Sequence, residues 1–233
     1  MRTRVTSTLP IVKISIKHRI SKTSIMNKII TIKKDDALFP KGFKAIGDEC
    51  PDQIYVLGNV ELLNEQKFVA IIGARKATRA GNSKAFDIAM KYAKEGAVIV
   101  SGLALGCDAA AHRGCLAAKG KTIAIVATGL DLIFPRENEE LQNQILSNGG
   151  LILSEQPLGT KANPTRLVSR NRLQAALSSE VIVAECPEHS GTMHTVRFAQ
   201  KYGKTIKAAV FKGKSAENSG NRFIIDSGIG EGI

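Results

Sequence analysis

The feature that most constrains this chain is a series of short, wholly apolar runs, each ending in glycine or small polar residues and separated by segments of helical period. Phe68-Val-Ala-Ile-Ile72 runs into Gly73, Ala97-Val-Ile-Val100 into Ser101-Gly102, and Thr122-Ile-Ala-Ile-Val-Ala127 into Thr128-Gly129. Leu151-Ile-Leu153, Val181-Ile-Val-Ala184 and Thr205 to Phe211 continue the series, and residues 53–57 form a short strand before it. A strand without apolar/polar alternation must be covered on both faces. Residues 85–95, 109–119, 139–147, 172–177 and 195–202 supply the helices, several closed by glycine. The chain is therefore α/β, with a mostly parallel sheet and helices on both faces.

Composition sets the rest of the frame. With 43% hydrophobic and 23% charged residues among 233, a packed domain of ordinary size is expected. No run approaches the roughly 18 apolar residues of a membrane span, so no membrane partner is expected. The cysteines Cys50, Cys107, Cys115 and Cys186 have no Cys-x-x-Cys or histidine spacing. They are expected to be reduced, buried thiols of a cytoplasmic protein, with no metal site. The net charge is +12, but residues 1–35 hold nine Lys/Arg against one acid, +8, leaving 24 against 20, +4, for residues 36–233. The high charge alone does not make the folded domain a polyanion binder. Residues 1–35 are expected to be a disordered basic tail, or the product of an upstream start with Met26 as the alternative; they are also basic and hydroxyl-rich, as transit peptides are. Residues 36–233 form the expected domain.

In an open α/β sheet, ligands bind outside the carboxyl ends of the strands. Those ends carry Gly73-Ala74-Arg75, Ser101 to Asp108, Thr128 to Asp131 and His189 to Thr195. Small residues there admit a phosphate to backbone N–H groups and helix N-termini, or simply make tight turns. Neither Gly-x-Gly-x-x-Gly nor Gly-x-x-x-x-Gly-Lys-Ser/Thr occurs, so no nucleotide cofactor is expected. Arg166, Arg170 and Arg172 lie within seven residues, with Asn171 between the last two. They read as a loop entering the helix at 172, their guanidinium forks suited either to phosphate or to carboxylates within the fold. Asp108 and His112, one helical turn apart, are either acid–base machinery or a cap and a structural histidine.

Taken in order, Ile71-Ile-Gly-Ala-Arg-Lys76, Ile99 to His112, Gly129 to Asn138, Leu151 to Glu155, Ser169 to Arg172 and Ser190 to Thr195 resemble the DprA/Smf DNA-processing family. Pro51 to Gly58 and Asn218 to Gly228 are similar to it as well, so the resemblance spans roughly residues 38–230. It implies an extended Rossmann-like fold that binds and shields single-stranded DNA without catalysis, in DNA processing and recombination during natural transformation. It further implies a RecA-type recombinase as partner, aided in loading, and a homodimer. Carried over by position, Arg75, Ser101, Gly102, Gly106, Arg170, Asn171, Arg172, Ser190, Gly191 and Thr192 line the pocket. One departure concerns Leu167-Val168-Ser169, where the family usually has Phe-Pro-x. A base stacked on an aromatic gains about 1–3 kcal/mol, which Leu167 does not fully supply. Longer members carry a winged-helix module after this domain, which is not expected here. The rival reading is a nucleotide sensor or a phosphoribohydrolase-like enzyme on the same scaffold. Glu188-His-Ser-Gly-Thr-Met-His-Thr195 lacks the double glycine and glutamate that such enzymes carry.

Overall fold

A computed structural model describes residues 28–233. Among these residues nine strands form one sheet: β1 (Ile30–Lys33), β2 (Gln53–Gly58), β3 (Phe68–Ile72), β4 (Val98–Ser101), β5 (Thr122–Ile125), β6 (Leu151–Ser154), β7 (Glu180–Val183), β8 (Thr205–Ala208) and β9 (Glu231–Gly232). Their spatial order is β1-β2-β6-β5-β4-β3-β7-β8-β9. The run β6-β5-β4-β3-β7-β8-β9 is parallel throughout, while β2 joins β6, and β1 joins β2, antiparallel. From β3 the chain winds outward through β4, β5 and β6, then returns to β3's other side with β7. The strand order thus reverses between β3 and β7, where an α/β sheet opens its ligand crevice.

Seven α-helices among the described residues connect the strands: α1 (Lys41–Lys44), α2 (Arg79–Lys94), α3 (Cys107–Ala117), α4 (Glu139–Ser147), α5 (Pro164–Leu177), α6 (Thr192–Lys201) and α7 (Ser219–Asp226). Each apolar strand serves two cores. On β3, Ala70 and Ile72 pack with Phe43, Leu173, Ala176 and Val196 from α1, α5 and α6. Val69 and Ile71 face the other way, onto Ala85, Ala89, Ala111 and Cys115 of α2 and α3. Residues alternate sides along a strand, so an unbroken apolar run is what two covered faces require. The four cysteines are free and buried. No described helix is long and apolar enough to cross a membrane.

The ordered fold begins earlier than residue 36. Ile30-Thr-Ile-Lys33 pairs with β2, Ile30 opposite Val56 and Ile32 opposite Ile54, and Ile32 is buried in the core. The expected disorder of residues 1–27 lies outside the described residues. A second correction matters more for function. The arginine-rich segment is no loop; it is the body of α5, which starts eight residues before Arg172. Asn163 caps the helix, its Oδ1 accepting from Arg166 N at 2.8 Å, and Pro164 follows at the first turn.

Candidate nucleic-acid interface

The reversal between β3 and β7 opens into a cleft of about 470 Å³. Its walls are the β3–α2 loop (Gly73 to Lys76), the start of α6 with the turn before it (Ser190 to Thr195), and one face of α5. The two loops are tied by main chain: Ala74 N donates to Glu185 O at 2.7 Å. The buried Glu185 carboxylate accepts from Thr78 N at 2.6 Å and Thr78 Oγ1 at 2.7 Å, and Thr78 Oγ1 in turn accepts from Gly81 N to cap α2. Arg75 and Lys76 are exposed and form no ion pair among the described residues. Opposite them, no side chain caps α6; Met193 N and His194 N turn back to Ser190 O and Gly191 O at 3.1 and 3.2 Å, which leaves the Thr192 amide facing the cleft as an anion donor. Ser190 Oγ is buried without a hydrogen-bond partner among the described residues. Asn171 Nδ2 reaches Gly191 O at 3.5 Å.

Arg170 forms the floor. It is 4% exposed and donates through Nη1 to Gly102 O at 2.6 Å and to Ile125 O. Gln174 lies one turn on, its side-chain oxygen accepting from Gly102 N at 3.0 Å and Arg170 Nη1 at 3.2 Å. Asp108 closes the arrangement, accepting from Gly102 N at 3.1 Å and Ala104 N at 3.4 Å. Burial lowers Arg170 to about 10 and Asp108 opposes the shift, so the guanidinium stays charged at neutral pH. Burial raises the Asp108 carboxyl, against the pull of Arg170. The floor is thus a buried cation that adds positive potential to a cleft whose rim carries Arg75 and Lys76.

The family model described as DNA recombination-mediator protein A matches residues 28–231. The chain belongs to this family. It is 41% identical to Protein Smf of Synechocystis over 159 residues, covering 67% of this chain and 40% of that one. It is 38% identical to the DNA processing protein DprA of Streptococcus pneumoniae, over 74% of this chain and 60% of that one. The chain thus spans 40–60% of the length of these curated relatives. The X-ray structure of the S. pneumoniae protein superposes with a TM-score of 0.81 at 32% identity, over 91% of this chain and 73% of that one. DprA from Helicobacter pylori, described for its single-stranded DNA binding mode, superposes with a TM-score of 0.80 at 34% identity, over 89% and 91%. The family's Rossmann-like α/β fold is the one built here.

The cleft brings together Arg75, Arg170, Asn171, Ser190, Gly191 and Thr192, and Gly102 lines its continuation beside Arg170. Three expected residues do not present themselves to it. Arg172 points elsewhere, in a two-pronged pair with Glu155 (Nη1 to Oε1 2.8 Å, Nη2 to Oε2 2.6 Å), while its Nε donates to Glu49 O at 3.0 Å. Ser101 is fully buried and donates to Ile71 O at 2.7 Å across the strands. Gly106 serves the backbone: with φ at +75° and a Cβ that would fall 2.3 Å from Ala74 O, it lets the β4–α3 loop lie against the β3–α2 loop. Asp108 and His112 do not pair. His112 Nδ1 lies 2.7 Å from Thr122 Oγ1, whose own hydrogen goes to Ile99 O, so Nδ1 is the donor. Burial pushes His112 down to about 3, leaving it neutral. Lys76, Gln174 and Thr195 also line the cleft and were not singled out from sequence. Gln174 is i+4 from Arg170, a relation visible only once both are placed on one helix.

Proposed function

We propose that this protein holds single-stranded DNA at the carboxyl edge of its sheet and acts in DNA processing and recombination, handing the strand to a RecA-type recombinase. The observation that carries this reading is the placement of unpaired Arg75 and Lys76 across from the open N-terminus of α6, over the buried charge of Arg170. Exposed cations beside a helix N-terminus suit phosphate oxygens and are indifferent to base sequence. Membership of the family, and the single-strand binding described for the H. pylori relative, support the same ligand. The reading is of a binder, not an enzyme: Asp108, which lines the cleft, and Glu185, buried behind its loops, are both committed to holding those loops. A homodimer in the cytoplasm completes the proposal.

The test is fluorescence anisotropy with labelled single-stranded and double-stranded oligonucleotides and, in competition, free nucleotides. Preference for the single strand, with affinity falling linearly in log salt, is the expected result. Displacement by a mononucleotide at micromolar concentration would point to the nucleotide-sensor reading instead.

A further inference from the structure

The cleft can be left in more than one direction, and the charge met along each differs. Toward β5 and β6, the exposed Arg136 stands among the exposed acids Asp131, Glu137 and Glu139. Toward β8, Lys212 and Lys214 share their loop with Glu217, and Glu188 stands on the loop before α6. Toward α2 the sign is single: residues 73–84 hold Arg75, Lys76, Arg79 and Lys84 and no acid. Arg75 and Lys76 line the cleft, and Arg79 is the first residue of α2. Three residues span at most about 10 Å, so Arg79 starts close to Lys76. Helical side chains lean toward the helix N-terminus, which in α2 is the end at the cleft.

Arg79 does no visible work in the fold. It is exposed, and among the described residues it makes no ion pair and lies over no aromatic ring. A cation in a first turn also opposes the helix dipole, whereas Lys91 and Lys94, in the last turn of α2, agree with it. The acid at this end is Glu185, which is buried and has both oxygens engaged by Thr78 N and Oγ1. The anion position at the α2 N-terminus is thus filled from within the protein. What remains outside is a row of free cations.

We propose that Lys76 and Arg79 form an exit track, carrying the strand out of the cleft and over the first turn of α2, so that the protein covers more of the strand than the cleft itself holds. This assignment rests on the single-strand reading above. The occupant of the track is the sugar–phosphate backbone of that same strand. A free guanidinium and a free ammonium suit phosphate oxygens. Residues 77–83 contain no aromatic side chain, so the bases there are left unstacked by the protein and the track is blind to sequence. The mixed charges toward β5 and β8 repel as well as attract a polyanion, which leaves α2 as the favoured way out.

The experiment uses the full chain and two lengths of oligo-dT, ~4 and ~16 nucleotides, the two ends of the range of single-strand site sizes. The unmodified protein is expected to bind the longer oligomer more tightly. Arg79→Gln is expected to weaken the longer oligomer about fivefold, to leave the shorter within about twofold, and to make the salt slope for the longer shallower by about 0.7, the share of one cation on a single strand. Lys94→Gln, which removes the same charge from the other end of α2, is expected to change neither oligomer by more than about twofold. Equal effects of Arg79→Gln and Lys94→Gln, or equal losses on the two lengths, would overturn the track and leave the cleft standing. Should Arg79→Gln melt at a lower temperature, Arg79→Lys decides: restored binding of the longer oligomer supports the track, and no restoration overturns it. Failure of the unmodified protein to bind either oligomer would instead remove the single-strand reading itself.

Discussion

The guanidinium of Arg170 lies directly beneath Gly102, donating to its carbonyl at 2.6 Å, and a Cβ at Gly102 would fall 2.1 Å from Arg170 Nη1. The glycine and the arginine therefore fit only each other. Gly102→Ala would force the buried charge off its carbonyl partners, and overpacking of this kind costs about 1–3 kcal/mol. Chemical denaturation should show that loss, accompanied by weakened single-strand binding because the cleft floor moves.

Arg75→Ala separates binding from folding. The side chain is exposed and unpaired, so melting should be unchanged. Loss of one charge-assisted phosphate contact, worth about 1.5–3 kcal/mol, should weaken single-strand affinity tenfold or more, similarly for all base sequences. Anisotropy titrations across oligonucleotides of different composition, beside thermal melts, check both halves.

Arg172→Ala should show the reverse. Its pair with Glu155 is only 12–13% exposed, and removing one partner of a buried pair costs about 3–5 kcal/mol, fewer where water reaches the survivor. The melting temperature should fall, while affinity per folded molecule stays constant. A double-mutant cycle with Glu155→Gln should show coupling between the two sites.

Stability should depend on pH through His112. Its folded value is lowered from 6.5 to about 3, so folding favours the neutral ring. The contribution is fully present above about pH 6.5 and is lost as pH falls toward 3, at up to about 1.4 kcal/mol per pH unit. Denaturant midpoints at pH 7 and pH 5, before most carboxylates titrate, should differ accordingly, and His112→Gln should flatten the difference.

Leu167→Phe tests the departure at that position. Leu167 lines the cleft and its continuation, and an aromatic there would add a stacking surface. Single-strand affinity should rise about fivefold or more, an increase absent with an abasic oligomer.

Much of the fold was legible because β3 to β6 are runs whose every residue is buried, and β7 nearly so, a pattern few other architectures produce. β1 was not, since Ile30-Thr-Ile-Lys33 is short, alternating and embedded in a basic stretch. The cleft was half legible. Its loops follow from strand ends, but the division of labour between Arg170 and Arg172 does not. Residues two positions apart on a helix are about 200° apart around its axis, so Arg170 faces the cleft floor and Arg172 faces Glu155. That rotation is invisible if the segment is read as a loop. Asn163-Pro164 was the available sign that the helix begins earlier.

Ala74 is held on both sides by main chain, its N–H on Glu185 O and its carbonyl accepting from Cys107 N at 3.2 Å. The peptide that presents Arg75 is thus fastened without the help of any side chain at position 74, 75 or 76. The chemistry on display and the frame displaying it are inherited separately. Exchange of the side chains at 75 and 76 can retune grip, salt response or ligand preference one step at a time, with the architecture behind them left intact at each step.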